Sequence, residues 1–195
     1  MRIIKTEIRI QLLDFDELTA GEQTLISRAC KVRLNAQAPY SHYWMGCSVM
    51  TPWGNFFDGC NVERASWTQT THAEQNALDN MIAVLGPHRI AGIAVVGAPE
   101  GKEIPWPLPL NDLKDLPPDL SPADFCPSCG HCLQNIAENC FDESGQFDPT
   151  IKLLNYSENQ KIIYRTTIGN AYPMPFLPQY LGINYAKDQR AKNHK

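Results

Sequence analysis

Residues 90–98, "IAGIAVVGA", form a nearly unbroken apolar run rich in β-branched side chains. Such a strand has no polar face to turn to water, so it belongs at the centre of a sheet covered on both sides. Two helical patterns can supply the covers. Thr19-Ala-Gly-Glu22 fits a capping box, and Leu25, Ile26, Ala29, Val32 and Ala36 follow at helical spacing until Pro39. A second helix opens at His72 with a stripe of Ala77, Leu78, Met81 and Leu85. "MGCSVMT" and "FFDGCNV" flank a "PWGN" turn and read as a hairpin, while "TIKLLNY" and "KIIYRTTI" read as two late strands. At the start, Ile8, Ile10 and Leu12 alternate with Glu7, Arg9 and Gln11, the pattern of a half-buried strand. Strands alternating with helices predict an α/β sandwich.

Eight of the fifteen prolines lie between Pro99 and Pro127. Proline fixes φ and gives no backbone donor, so neither a long helix nor a central strand forms there. A long ordered loop is expected over residues 99–127, with one turn of helix at "NDLKDL" and a lid or a surface insertion as its two possible roles.

A chain of 195 residues is long enough for one well-buried core, and a single domain is expected. Its formal charge of −4 argues against a nucleic-acid surface. The basic residues Lys187, Arg190, Lys192 and Lys195 stand in a polar tail over 184–195 and read as a solvated end. No apolar stretch is long enough to span a bilayer, and the alternating N-terminus does not resemble an export signal. Seven cysteines are therefore expected as thiols or metal ligands in a reducing cytoplasm.

"CPSCGHC", residues 126–132, offers two overlapping C-x-x-C pairs. Positions 129, 132, 133, 136, 137 and 140 follow helical spacing, so a helix from about Cys129 puts Cys129 and Cys132 on one face. Cys126 precedes Pro127 and lies outside that register. A helix start also favours thiolate through its free N–H groups. Two thiolates do not complete a zinc site. "THAEQNAL" supplies an imidazole at His72 and a carboxylate, Glu74, two residues on. His-x-Glu followed by Cys-x-x-Cys is the signature of zinc nucleobase deaminases. Zn²⁺ with two thiolates and a neutral imidazole carries no net charge and stays acidic enough to ionise water near neutral pH.

With these residues in place, the chain resembles the cytidine deaminase family. "APYSHYWMGCSV" (38–49) is similar to its Y-S-x-F-x-V-G stretch and "GCNVERA" (59–65) to G-x-N-x-E-x-A. "THAEQNAL" and "CGHCLQ" match the metal half, and "PFLPQYLGI" (175–183) is similar to the C-terminal F-G-P-x-x-L segment. The likeness runs over about 19–183. It implies a three-layer α-β-α sandwich around a mixed five-stranded sheet, here with an extra N-terminal strand. It implies zinc on His72, Cys129 and Cys132, with Glu74 as the proton shuttle. Asn61 and Glu63 would bond the ribose, Tyr43 would pack on the pyrimidine, and backbone at Ala73 and Pro127–Ser128 would hold the leaving group. Phe176 would reach a neighbouring subunit's site in a homo-oligomer, dimer or tetramer.

The chain departs from the family pattern at Ser128 (family Pro), Leu133 (often Arg), Tyr43 (Phe), Met45 (Val) and Leu177 (Gly), and in the long proline loop. The activity implied is hydrolytic deamination of cytidine or deoxycytidine in pyrimidine salvage. Two other readings are a deaminase of a modified cytosine compound, with the loop and Trp106 shaping access, and a zinc-stabilised binding protein without catalysis.

Overall fold

In the computed structural model, residue 3 and residues 7–120 and 125–184 are described. The basic tail of Lys187, Arg190, Lys192 and Lys195 lies outside these residues. Six strands make one mixed sheet: β1 (Gln11–Leu13), β2 (Tyr43–Met50), β3 (Phe56–Cys60), β4 (Gly92–Pro99), β5 (Lys152–Ser157) and β6 (Ile162–Thr167). Their order is β1-β6-β5-β4-β2-β3, with β4 and β5 parallel and every other pair antiparallel. The apolar run expected at the centre is β4, which is buried over all but its last residue. Three helices pack on the sheet or its ends: α1 (Ala20–Val32), α2 (Ala73–Leu85) and α3 (Gly130–Ala137); a short α4 (Ile168–Ala171) follows β6.

Each face of the sheet has its own core. Leu25, Ile26 and Ala29 of α1 lie on Ala94, Val96, Leu154 and Tyr156. On the other face, Ala77, Leu78 and Met81 of α2 and Ile136 and Ala137 of α3 lie on Cys47, Val49, Ile93 and Val95. This is the α-β-α layering that the resemblance implies, with β1 as the added strand. The capping box of α1 forms as expected: Glu22 N–H donates to Thr19 Oγ1 and Thr19 N–H to Glu22 Oε2. Glu22 also accepts from Arg165 on β6, so the start of α1 is tied to the far side of the sheet. Among the described residues no helix is long and apolar enough to cross a membrane.

Two details differ from expectation. Ile8 and Ile10 precede β1, which begins only at Gln11; both are exposed, and the buried residue of the strand is Leu13 rather than Leu12. Ladder pairing runs only from Gln11↔Arg165 to Leu13↔Ile163 although β6 continues to Thr167; beyond it the Thr166 hydroxyl donates to the Arg9 carbonyl at 2.8 Å. The proline-rich loop takes one 3₁₀ turn at Leu113–Asp115, as read from "NDLKDL". Its first part does not roof the α2/α3 face. Ile104, Leu108 and Leu110 join the core under α1, and Trp106 packs edge-on against Phe15 at 5.2 Å.

Close packing of helix on sheet is set by two glycines. A Cβ on Gly46 of β2 would stand 2.1 Å from the Ala29 carbonyl oxygen of α1. A Cβ on Gly59 of β3 would stand 2.3 Å from Ala77 N and 2.7 Å from Ala73 O of α2. Backbone cannot yield as a flexible side chain can, so a methyl here pushes a whole helix off the sheet. Gly59→Ala is expected to cost about 3 kcal/mol of stability in chemical denaturation, the upper end for overpacking. It should displace α2 and weaken metal retention; a variant with wild-type stability and metal content contradicts this account of α2.

Candidate active site

The site forms where the starts of α2 and α3 meet at one end of the sheet. His72 is the residue before α2 and Cys129 the residue before α3, and neither side chain caps its own helix. Both are left free for other work. His72 is brought there by a bridge between Val62 and Thr71, whose N–H groups and carbonyls exchange bonds at 2.9 and 3.0 Å. Asn76, one turn into α2, donates to the Cys60 carbonyl at 3.0 Å and ties the helix start to the end of β3. The turn from Cys129 into α3 then carries Cys132 inward to 1% exposure.

His72 Nδ1 lies 3.1 Å from Cys132 Sγ and 3.5 Å from Cys129 Sγ, and the two sulfurs are 3.6 Å apart. Tetrahedral zinc, with Zn–S about 2.3 Å and Zn–N about 2.0–2.1 Å, places sulfurs about 3.8 Å apart and sulfur from nitrogen about 3.6 Å. The three atoms match that geometry to within about half an ångström, and no other such group occurs among the described residues. The chemistry of the set points the same way. Burial pushes the Cys132 thiol up, and the nearby Glu74 and Cys129 add to the effect. An anionic sulfur is unfavourable in that setting without a cation among the ligands. Cys126 is outside the group: its thiol lies beside Tyr43, and its carbonyl accepts from Asn155 Nδ2 at 2.8 Å.

A cleft of about 330 Å³ opens beside these atoms. His72, Ala73, Glu74 and Cys129 line one side, and Met45, Asn61 and Glu63 another. Glu74 is 4% exposed, in the first turn of α2. A carboxylate buried there faces the free N–H end of the helix and the metal position rather than water. Ala73 begins the helix, where a backbone N–H has no intrahelical acceptor.

Asn61 and Glu63 are both buried, and their visible bonds are to backbone. Asn61 Oδ1 accepts from Met45 N–H and its Nδ2 donates to the Tyr43 carbonyl, both at 2.9 Å, so the amide extends the pairing of β2. One Nδ2 hydrogen remains for another acceptor. Glu63 Oε2 accepts from the Tyr40 and Ser41 N–H groups at 2.9 and 3.1 Å. Burial alone would raise its pKa, but the Ser41 hydroxyl, these N–H groups and the neighbouring His42 hold the carboxylate below its ordinary range. It is an ionised acceptor at the rim of the cleft.

Of the residues expected to line this chain's own cleft, Tyr43 stands elsewhere. Tyr43 is half-buried at the start of β2 and is not among the cleft's lining; burial, with Cys126 beside it, pushes its hydroxyl up to about 12. Phe176 is 58% exposed, outside its own cleft, with its backbone bonded to Gln134 of α3 at 2.6 and 3.3 Å. Trp67 and Thr70 line the cleft and were not singled out by sequence reasoning. Their signal was position: a short turn between Glu63 and His72, two residues assigned to one site, must border that site. Pro127 completes the wall ahead of Cys129. Leu133, where the family often has Arg, packs into the α2/α3 core.

The family model for the cytidine and deoxycytidylate deaminase zinc-binding region matches residues 20–144. A cytidine deaminase of Sporosarcina psychrophila is 28% identical over 167 residues, covering 86% of this chain and 98% of that protein. One from Halalkalibacterium halodurans is 31% identical over 116 residues, covering 60% of this chain and 84% of that protein. Among solved structures, cytidine deaminase from Burkholderia pseudomallei aligns with a TM-score of 0.57 at 28% identity, over 82% of this chain and all of that one. The match spans well over half of the sequence and contains both halves of the metal site, so the metal is zinc and the chain belongs to the cytidine and deoxycytidylate deaminase family of hydrolases.

Proposed function

We propose that the protein deaminates free cytidine or deoxycytidine to the uridine product and ammonia, as a step of pyrimidine salvage in the cytoplasm. The observation that carries this reading is the meeting of His72, Cys129 and Cys132 with buried Glu74 in one nucleoside-sized cleft. The cytidine deaminases of Sporosarcina psychrophila and Burkholderia pseudomallei support it by likeness along most of the chain. Bound zinc, held by His72 Nδ1 and the two thiolates, supplies acid activation of a water at neutral pH.

The chain's own groups do the rest. Glu74 accepts the proton of the attacking water and delivers it to ring N3 as the C4–O bond forms. The second water proton then passes through Glu74 to the amino group, the C4–N4 bond breaks, and ammonia leaves as C4 becomes a carbonyl. One carboxylate can serve in turn as base and acid because it stands beside both reacting atoms. Backbone groups at Ala73, the first residue of α2, and at Pro127–Ser128 hold the leaving amino group. Glu63, held ionised, accepts from a ribose hydroxyl, and the remaining Asn61 Nδ2 hydrogen donates to it. Such an acidic rim disfavours a phosphate beside the sugar, so the unphosphorylated nucleoside is the expected substrate. The exposed Phe176, packed against Tyr180 at 5.9 Å, suits a role in the cleft of a second copy, and the working unit is a homo-oligomer.

The metal assignment has a direct check. Cys132→Ser and His72→Ala should each lose bound zinc by atomic absorption, whereas Cys126→Ser should keep one ion per chain; loss in the Cys126 variant refutes the ligand set. Glu74→Gln should also keep its zinc while kcat on cytidine falls by about 10²–10⁴, the usual worth of general acid–base catalysis. Ammonia release at the wild-type rate by a zinc-loaded Glu74→Gln chain would sink the mechanism.

A further inference from the structure

Asn155 stands in the middle of β5, within the apolar run "LLNYS", at 4% exposure. A buried amide there is unfavourable unless its hydrogen bonds are made. Its neighbours across the sheet are Val95 and Tyr164, which places it on the face that carries the metal site. The amide reaches off the sheet: Nδ2 donates to the Cys126 carbonyl at 2.8 Å. That carbonyl belongs to the peptide bond closed by Pro127, which lines the cleft directly ahead of Cys129.

Two further contacts grip the same segment. The Tyr43 side chain from β2 stands beside the Cys126 thiol, and the Phe125 ring packs edge-on against Tyr164 of β6 at 4.9 Å. Among the described residues no backbone–backbone hydrogen bond holds residues 126–128, and Pro127 has no N–H to give. Side chains from the sheet therefore hold the approach to the metal turn, and among the described residues Asn155 is the side chain that bonds its backbone.

We propose that Asn155 is a positioning residue for deamination. Its amide pins the Cys126 carbonyl to the sheet and so sets where the Pro127 and Ser128 peptide groups meet the departing amino group. This rests on the deaminase reading of the site. Because it acts on the reacting end and not on the ribose rim, Asn155 affects turnover more than substrate affinity.

Asn155→Leu keeps the volume and removes the donor; Asn155→Asp keeps the shape and presents an acceptor to the carbonyl. Zinc content, kcat and KM for cytidine, and amide hydrogen exchange of residues 125–131 are measured on the zinc-loaded full chain. Both variants should keep one zinc per chain and a KM within threefold of wild type, with kcat lowered ten- to a hundredfold. Exchange of residues 125–131 should rise at least tenfold while β4 and β5 stay protected. A folded variant with kcat within twofold of wild type overturns the proposal, as does zinc loss or faster exchange across the whole sheet. A wild-type chain inert on every cytosine nucleoside overturns the deaminase reading and the kinetic part of this proposal. Unchanged exchange of residues 125–131 would then remove the clamp as well.

Discussion

The start of α2 can stand over the end of β3 because residue 59 has no side chain. A Cβ there would lie 2.3 Å from a helix backbone nitrogen, inside any permissible contact. The close approach places Ala77, Leu78 and Met81 in the core and presents His72 and Glu74 at the sheet's edge. The start of α3 meets it from the neighbouring side and brings Cys129 and Cys132. Two helix beginnings thus face one point, each with free N–H groups and a partial positive charge. That is a setting in which thiolates and a buried carboxylate are tolerated, and zinc completes it.

The chain's departures from its family pattern lie around the metal residues rather than on them. Leu133, the apolar residue after the second cysteine, packs into the α2/α3 core. Ser128 and the long loop alter the approach to the metal turn. They do not touch the ligand atoms, and the loop's first part is held on the opposite face by Ile104, Leu108 and Leu110. A lid over the cleft is not what those residues make.

Much of this was legible in the sequence because it was periodic. The helical stripe beginning at Cys129 selected Cys129 and Cys132 over Cys126, and the capping box at Thr19 and the apolar run of β4 marked their elements to within a few residues. What was illegible depended on contacts between distant positions. Tyr43 matches an aromatic position by motif, yet its hydroxyl turns to Cys126, because the loop brings a thiol under it. The grip of Asn155 on a carbonyl across the sheet has no local signature beyond a polar residue in an apolar strand. Equally, the point at which the chain joins β6 as β1, at Gln11, has no mark in the alternation of the first residues.

The central claim is that zinc sits between two helix starts with two sulfur ligands, one nitrogen and a position left for water. X-ray absorption at the zinc edge of the freshly purified, substrate-free protein reads that shell directly. Two sulfur scatterers at about 2.3 Å and two nitrogen or oxygen scatterers at about 2.0–2.1 Å are predicted. Three or more sulfurs would bring Cys126 into the shell, and the site described here would then be wrong.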